Sequence, residues 1–196
     1  HGTVVTGTLT GGALSVGDQA TILPSGTRVR IRSLQSHGNG MERALPGSRT
    51  AANLVGVQKE DIQRGETLTV GGWLRATSTF DVRLRLLRDA PRPLEHADEV
   101  HFFASTFDDI VRVRLLEGDA IAPGEERWAQ IVSPMPVPLT HGDRFIIRAL
   151  SPSATIGGGT VVDAHPTRRH RRRDAAALAW LRQLQQASPS QAKALP

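Results

Sequence analysis

Five arginines crowd one short stretch: Arg168, Arg169, Arg171, Arg172 and Arg173, with His170 between them. Outside it the 24 basic residues fall to 19, against 19 acidic ones, so the formal charge of +5 sits in one place. Guanidiniums at that density suit either phosphate oxygens or a solvated surface run, and charge alone leaves both readings open. Arginine also recurs on alternate positions at Arg28, Arg30 and Arg32, at Arg83 and Arg85, and at Arg112 and Arg114. Alternation puts each set on one face of a strand. Such a face is either the polar exterior of a barrel or an Arg-lined surface for RNA phosphates. Aromatic residues make up only 4% of the chain, too few for extended base stacking. Recognition of a duplex stem by shape and backbone fits the composition better.

Other chemistry is thin. The glycine run in Ile156-Gly157-Gly158-Gly159 precedes strand-like Thr160-Val161-Val162 rather than a helix, and no Gly-x-x-x-x-Gly-Lys-Ser/Thr string occurs. The glycines are therefore expected to permit a bulge or close strand packing, not to cradle a nucleotide. The seven histidines, His1, His37, His96, His101, His141, His165 and His170, are scattered, with no spacing that predicts a metal site. The absence of cysteine excludes disulfides, Cys-ligated zinc and thiol catalysis, and it fits a cytoplasmic protein. No Ser/His/Asp combination shows a nucleophile elbow. No apolar run approaches the ~18 residues of a membrane helix, and no signal peptide is visible.

The elements that must position these residues read as short strands. Arg28-Val29-Arg30-Ile31-Arg32 alternates strictly, as do Asp81 to Leu86 and Val111 to Leu115. Thr50 to Val55, Thr67 to Val70, Arg127 to Val132 and Arg144 to Ala149 add further strands. Close spacing of short strands predicts barrels or sandwiches. Pro134, Pro136 and Pro138 are expected at an edge or in a loop, because proline cannot donate to a central ladder. Gly71-Gly72 is the expected domain boundary. Past Pro166 the texture changes: Asp174 can cap a helix in which Ala177, Leu178, Leu181 and Leu184 recur at helical spacing beside Trp180. Ala187-Ser188-Pro189-Ser190 reads as a linker. The expected fold class is all-β: a first β-barrel over residues 1–72, a second over 73–165, and a basic segment with a short helix over 166–196. Opening at His1 within a strand-like segment reads as a piece of a longer protein.

Three stretches, Gly2-Thr3-Val4-Val5-Thr6-Gly7-Thr8-Leu9, Val16-Gly17-Asp18 and Asp61 to Gly65, resemble the β-barrel that follows the GTPase domain in translation factors. Arg32 to His37, Ala44 to Leu54 and Ser151 to Arg173 are closer to one family, the selenocysteine-specific elongation factors. The resemblance implies that these barrels hold selenocysteinyl-tRNA for delivery to the ribosome. GTP and Mg would be bound by a GTPase domain of the parent, and a selenoprotein mRNA hairpin by its C-terminal domains. The chain itself would be no enzyme and carry no cofactor, while the parent would be a GTPase. The resemblance further places Arg49 at the selenol-contacting position, and Gln35 and His37 where the aminoacyl end and terminal adenosine are gripped. Two alternatives stand beside it: another tRNA-carrying translational GTPase, and a stand-alone double-barrel RNA-binding protein.

Overall fold

The computed structural model describes residues 2–186; the stretch Ala187–Ser190, read above as a linker, lies outside the described residues. The chain divides into two compact units, residues 1–75 and 76–196. The division falls just beyond the Gly71-Gly72 pair, and the described part of the basic segment and helix is grouped with the second unit.

The first unit contains β1 (Thr3–Thr8), β2 (Leu14–Ser15), β3 (Gln19–Leu23), β4 (Thr27–Ser36), β5 (Asn39–Met41), β6 (Arg43–Ala44), β7 (Arg49–Val55) and β8 (Thr67–Val70). Its main sheet runs β1-β7-β4-β3-β8 with β5 added to β4, while β2 and β6 form a separate pair. All its pairings are antiparallel. Among the described residues no ladder joins β8 back to β1, so the barrel-type sheet is not closed by hydrogen bonds. Alternation decides the inside: Val29, Ile31 and Leu34 of β4 meet Ala20, Ile22, Ala52 and Leu54 in the core, and Arg28, Arg30 and Arg32 face outward, exposed.

The second unit contains β9 (Ala76–Leu86), β10 (Leu94–Glu95), β11 (Glu99–Ala104), β12 (Phe107–Leu115), β13 (Ala120–Ile121), β14 (Glu126–Pro138), β15 (Arg144–Arg148), β16 (Thr155–Asp163) and α1 (Ala175–Gln186). Six of its strands close a barrel in the order β11-β12-β14-β9-β16-β15. Phe80, Val82, Leu84, Phe102, Val113, Ile131 and Ile147 fill the interior. The barrel closes tightly at β16. A side chain at Gly157 would stand 2.5 Å from the Arg85 carbonyl oxygen, one at Gly158 2.5 Å from that of Phe145, and one at Gly159 would strike that of Arg83. The glycine run is thus a close-packing device between β9 and β15.

The prolines lie in a strand rather than a loop, at the end of β14 that runs past its ladder with β12 and is locally an edge. Pro134, Pro136 and Pro138 belong to β14, an interior strand of the barrel. Pro134 and Pro136 fall in the β14–β9 register break between Val132 and Val137, Pro138 is paired with Ala76 of β9 alone, and the β12 ladder stops at Val132, so none of the three lies in a doubly paired stretch.

Candidate functional site

Gln35, His37 and Arg49 come together at one end of the first sheet. Gln35 lies near the end of β4, opposite Ala51 of β7, and Arg49 opens β7 opposite Thr8 of β1. Arg49 and Ala51 are two residues apart, so Gln35 and Arg49 share the outer face. Both are exposed. The Ser36 hydroxyl donates to the Arg49 carbonyl at 2.8 Å, tying the two strands beside the arginine. Residues 37 and 38 form a two-residue hairpin turn closed by the Ser36–Asn39 pair. Both central residues have positive φ, 50° at His37 and 81° at Gly38, the requirement of a type I′ turn. The imidazole of His37 thereby stands at an exposed tip. No carboxylate pairs with Arg49 among the described residues, which leaves its guanidinium available to an incoming anion.

The five clustered arginines do not form a uniform patch. Arg168 pairs with Asp174 at 3.1 Å. Arg172 and Arg173 both pair with Asp119, and Arg172 also donates to the Gly118 carbonyl at 3.0 Å. The backbone follows the side chains: the amide of Arg173 donates to the Leu116 carbonyl at 2.7 Å. Arg169 and Arg171 are exposed, and neither has a carboxylate partner among the described residues.

Between those two arginines, His170 turns inward and is 7% exposed. It meets groups that strand alternation sends to the outside of the barrel: Asp81 of β9 and, opposite it, Gln130 of β14, itself opposite Arg114 of β12. Asp81 and Gln130 are nonetheless 0% exposed, because the basic segment covers them. The four residues close a ring of hydrogen bonds, its last link made to the His170 backbone. Arg114 Nη1 donates to Gln130 Oε1 at 2.8 Å, and Gln130 Nε2 to Asp81 Oδ1 at 2.9 Å. His170 Nε2 lies 2.8 Å from Asp81 Oδ2, and Arg114 Nη2 donates to the His170 carbonyl at 3.3 Å. Against ionised Asp81, Nε2 is the nitrogen that carries the proton. Burial pushes the Asp81 carboxyl up to about 6, although the His170 charge and the hydrogen bonds from His170 and Gln130 pull it down. Burial also lowers Arg114, and the neighbouring Arg169 charge adds to that.

Helix α1 completes the cover. The Asp174 carboxylate accepts from the amides of Ala176 and Ala177 at 3.1 and 3.2 Å, an N-cap that fixes the helix start. Ala177, Leu181 and Leu184 then face inward, and Leu181 and Leu184 pack with Trp128, Leu116 and Val162. Trp128 stands on the outside of the barrel yet is 2% exposed, with the Arg83 guanidinium 4.8 Å from its ring centre.

Sequence reasoning missed this ring. The available signal was slight: a histidine set inside an arginine run, and an aspartate heading an otherwise basic and apolar alternation. The expected polar exterior does hold for Arg28, Arg30, Arg32, Arg85 and Arg112, which are exposed, while Arg83 and Arg114 are drawn into the covered region.

Two all-β units in tandem, the second with an arginine-bearing extension, have the architecture of translation-factor barrels. Residues 2–69 match the family model described as elongation factor Tu domain 2. Residues 81–168 match the β-barrel domain of selenocysteine-specific elongation factors, and this part of the chain is a barrel of that type. Over 172 residues, 87% of this chain, it is 40% identical to the selenocysteine-specific elongation factor of Desulfomicrobium baculatum. Over 189 residues, 95% of this chain, it is 32% identical to that of Escherichia coli strain K12. It is also 30% identical over 165 residues, 82% of this chain, to elongation factor Tu 2 of Streptomyces avermitilis, covering 42% of it. The chain spans 27% and 28% of the lengths of the two selenocysteine-specific relatives.

Proposed function

We propose that this chain is the tRNA-binding barrel region of a selenocysteine-specific elongation factor, a cytoplasmic protein that delivers selenocysteinyl-tRNA to the ribosome in a GTP-dependent manner. The observation that carries this reading is the match of residues 81–168 to the barrel domain of that family. GTP and Mg would be held by a GTPase domain of the parent, since this sequence has no phosphate loop. A selenoprotein mRNA hairpin would be bound through the parent's C-terminal domains. The elongation factor Tu relative keeps a second reading alive, the barrels of a factor for ordinary aminoacyl-tRNAs.

On the first reading the work of these residues is selective grip. A selenol is far more acidic than a serine hydroxyl and is anionic at neutral pH. A guanidinium stabilises a selenolate and gains nothing comparable from a neutral seryl group. Arg49 is the residue assigned that contact, supported by its exposure and its lack of a carboxylate partner among the described residues. Gln35 and His37 lie beside it for the aminoacyl end and terminal adenosine.

The test is the affinity of the GTP-bound parent for selenocysteinyl-tRNA and for seryl-tRNA, before and after Arg49→Ala. A charge-assisted contact is worth roughly 1.5–3 kcal/mol, so the expected loss is roughly 10- to 150-fold for selenocysteinyl-tRNA and slight for seryl-tRNA. An unchanged ratio of the two affinities removes Arg49 from the site. A wild-type protein that does not discriminate between the two tRNAs favours the second reading.

A further inference from the structure

The geometry points to Arg169 and Arg171, rather than the cluster as a whole, as a pair of cations presented to the phosphate backbone of a duplex RNA stem, with His170 as the positioning residue that holds them out. This rests on the tRNA reading above and deepens it. Two independent observations carry it.

The first is how charge is distributed across the stretch. Arg172 and Arg173 share Asp119, and Arg168 meets Asp174. These contacts draw three guanidiniums onto the protein: Arg168 is matched by Asp174, while Arg172 and Arg173 are turned toward the single Asp119, which offsets one of their two charges. Arg169 and Arg171 are exposed and have no such partner among the described residues. The second is that the backbone carrying the pair is anchored between the two arginines and on their C-terminal side. Arg114 donates to the His170 carbonyl, the His170 ring meets Asp81, and the Arg173 amide meets Leu116. A cation on an anchored backbone loses less conformational freedom on binding than one on a loose tail. Guanidiniums suit this partner because their planar fork matches phosphate oxygens. Bases could add little, since neither Arg169 nor Arg171 has an aromatic neighbour within residues 168–173.

The experiment measures binding of the full chain to two probes: an unmodified selenocysteine tRNA transcript and a plain RNA duplex of about the length of a tRNA arm. Dissociation constants are taken from about 50 to 200 mM salt. Two lost phosphate contacts lower the slope of log affinity against log salt by roughly 1.4–1.8. Across that fourfold range the wild type is expected to lose roughly tenfold more affinity than the Arg169→Ala/Arg171→Ala variant. Arg169→Gln/Arg171→Gln repeats the test with side-chain bulk retained. Arg168→Ala is expected to keep the wild-type slope, because its charge is matched one to one by Asp174.

If Arg168→Ala flattens the slope as much as the double variants do, the cluster acts as undivided charge and the inference falls. If tRNA binding persists with its slope unchanged in both double variants, the inference falls while the tRNA reading stands. If both probes bind equally and both depend on Arg169 and Arg171, the pair stands and the preference for tRNA is lost. Failure of both probes to bind at about 50 mM salt overturns the pair.

Discussion

The outer faces of the two units obey the same rule and end differently. On β4 of the first unit, alternation sends Arg28, Arg30 and Arg32 outward, and all three stay exposed. On β9 and β14 of the second, alternation sends Asp81, Gln130 and Trp128 outward, and all three are buried. The difference is not in the strands. Residues 166–186 lie over that part of the barrel and convert an exterior face into a second, partly polar interior. Period-two patterning thus names the face of a residue, whereas its burial depends on what else the chain lays upon that face.

The strongest way to break this comparison is to remove the buried histidine. His170→Ala leaves Asp81 covered and without its His170 hydrogen bond, and leaving a buried polar group without its partner costs about 1–3 kcal/mol, more where the group is charged. The cost should depend on pH, with the following sign. The folded Asp81 carboxyl sits at about 6, above its unfolded value of 3.8, so between these values the folded state binds more proton. Its contribution is therefore most favourable below about pH 4 and is lost as pH rises through about 6. Asp163 adds to the upward push, while His170 and Gln130 act against it. Without His170 the carboxyl is held protonated to still higher pH, and the loss continues past neutrality. Chemical denaturation of wild type and variant at pH 5 and pH 8 checks this: the difference should be larger at pH 8. An equal difference at both values would mean that Asp81 charge is not what His170 balances.

A second break removes the helix contact. Leu181 is fully buried on the barrel exterior, and Leu181→Ala should cost about 2–5 kcal/mol. Trp128 would then gain water contact, and the tryptophan emission of the chain should shift to longer wavelength. Unfolding of the first unit, followed separately by amide exchange, should be unaffected. The smallest effect concerns two glycines in comparable strands. Gly159→Ala drives a methyl group into the Arg83 carbonyl and should cost about 1–3 kcal/mol, whereas Gly7→Ala in β1 meets nothing within 4 Å and should fall within about 0.5 kcal/mol of wild type. Equal melting temperatures for the two variants would show that the β16 seam can yield.

The strands and the helix were legible because their signals are local. Arg28 to Arg32, Asp81 to Leu86 and Val111 to Leu115 each lie within the strand their alternation predicts, and Ala177, Leu181 and Leu184 do face inward from a helix that Asp174 caps. The edge expected for Pro134, Pro136 and Pro138 holds only locally: β14 is an interior strand whose β12 ladder ends at Val132, and where a ladder ends is a property of two strands that shows in neither alone. The His170–Asp81 contact spans 89 positions, and no local pattern could join them. Arg49 is different again. Nothing in its own strand marks it, and it entered only through resemblance; the structure adds that it stands beside Gln35 at one sheet end.

The closure of the second barrel has a consequence in time. Its seam joins β9, the first strand of the unit, to β16, the last. During synthesis the barrel cannot be completed until residue 163 has left the ribosome, and its polar cover must wait for residue 170. The long-range pairs of the first unit, such as Thr3 with Leu54, need less chain. Contacts so distant in sequence carry a large loop-closure cost and form slowly. While the nascent second unit waits, its apolar strands depend on whatever shelters incomplete chains, and a pause before residue 163 prolongs that dependence.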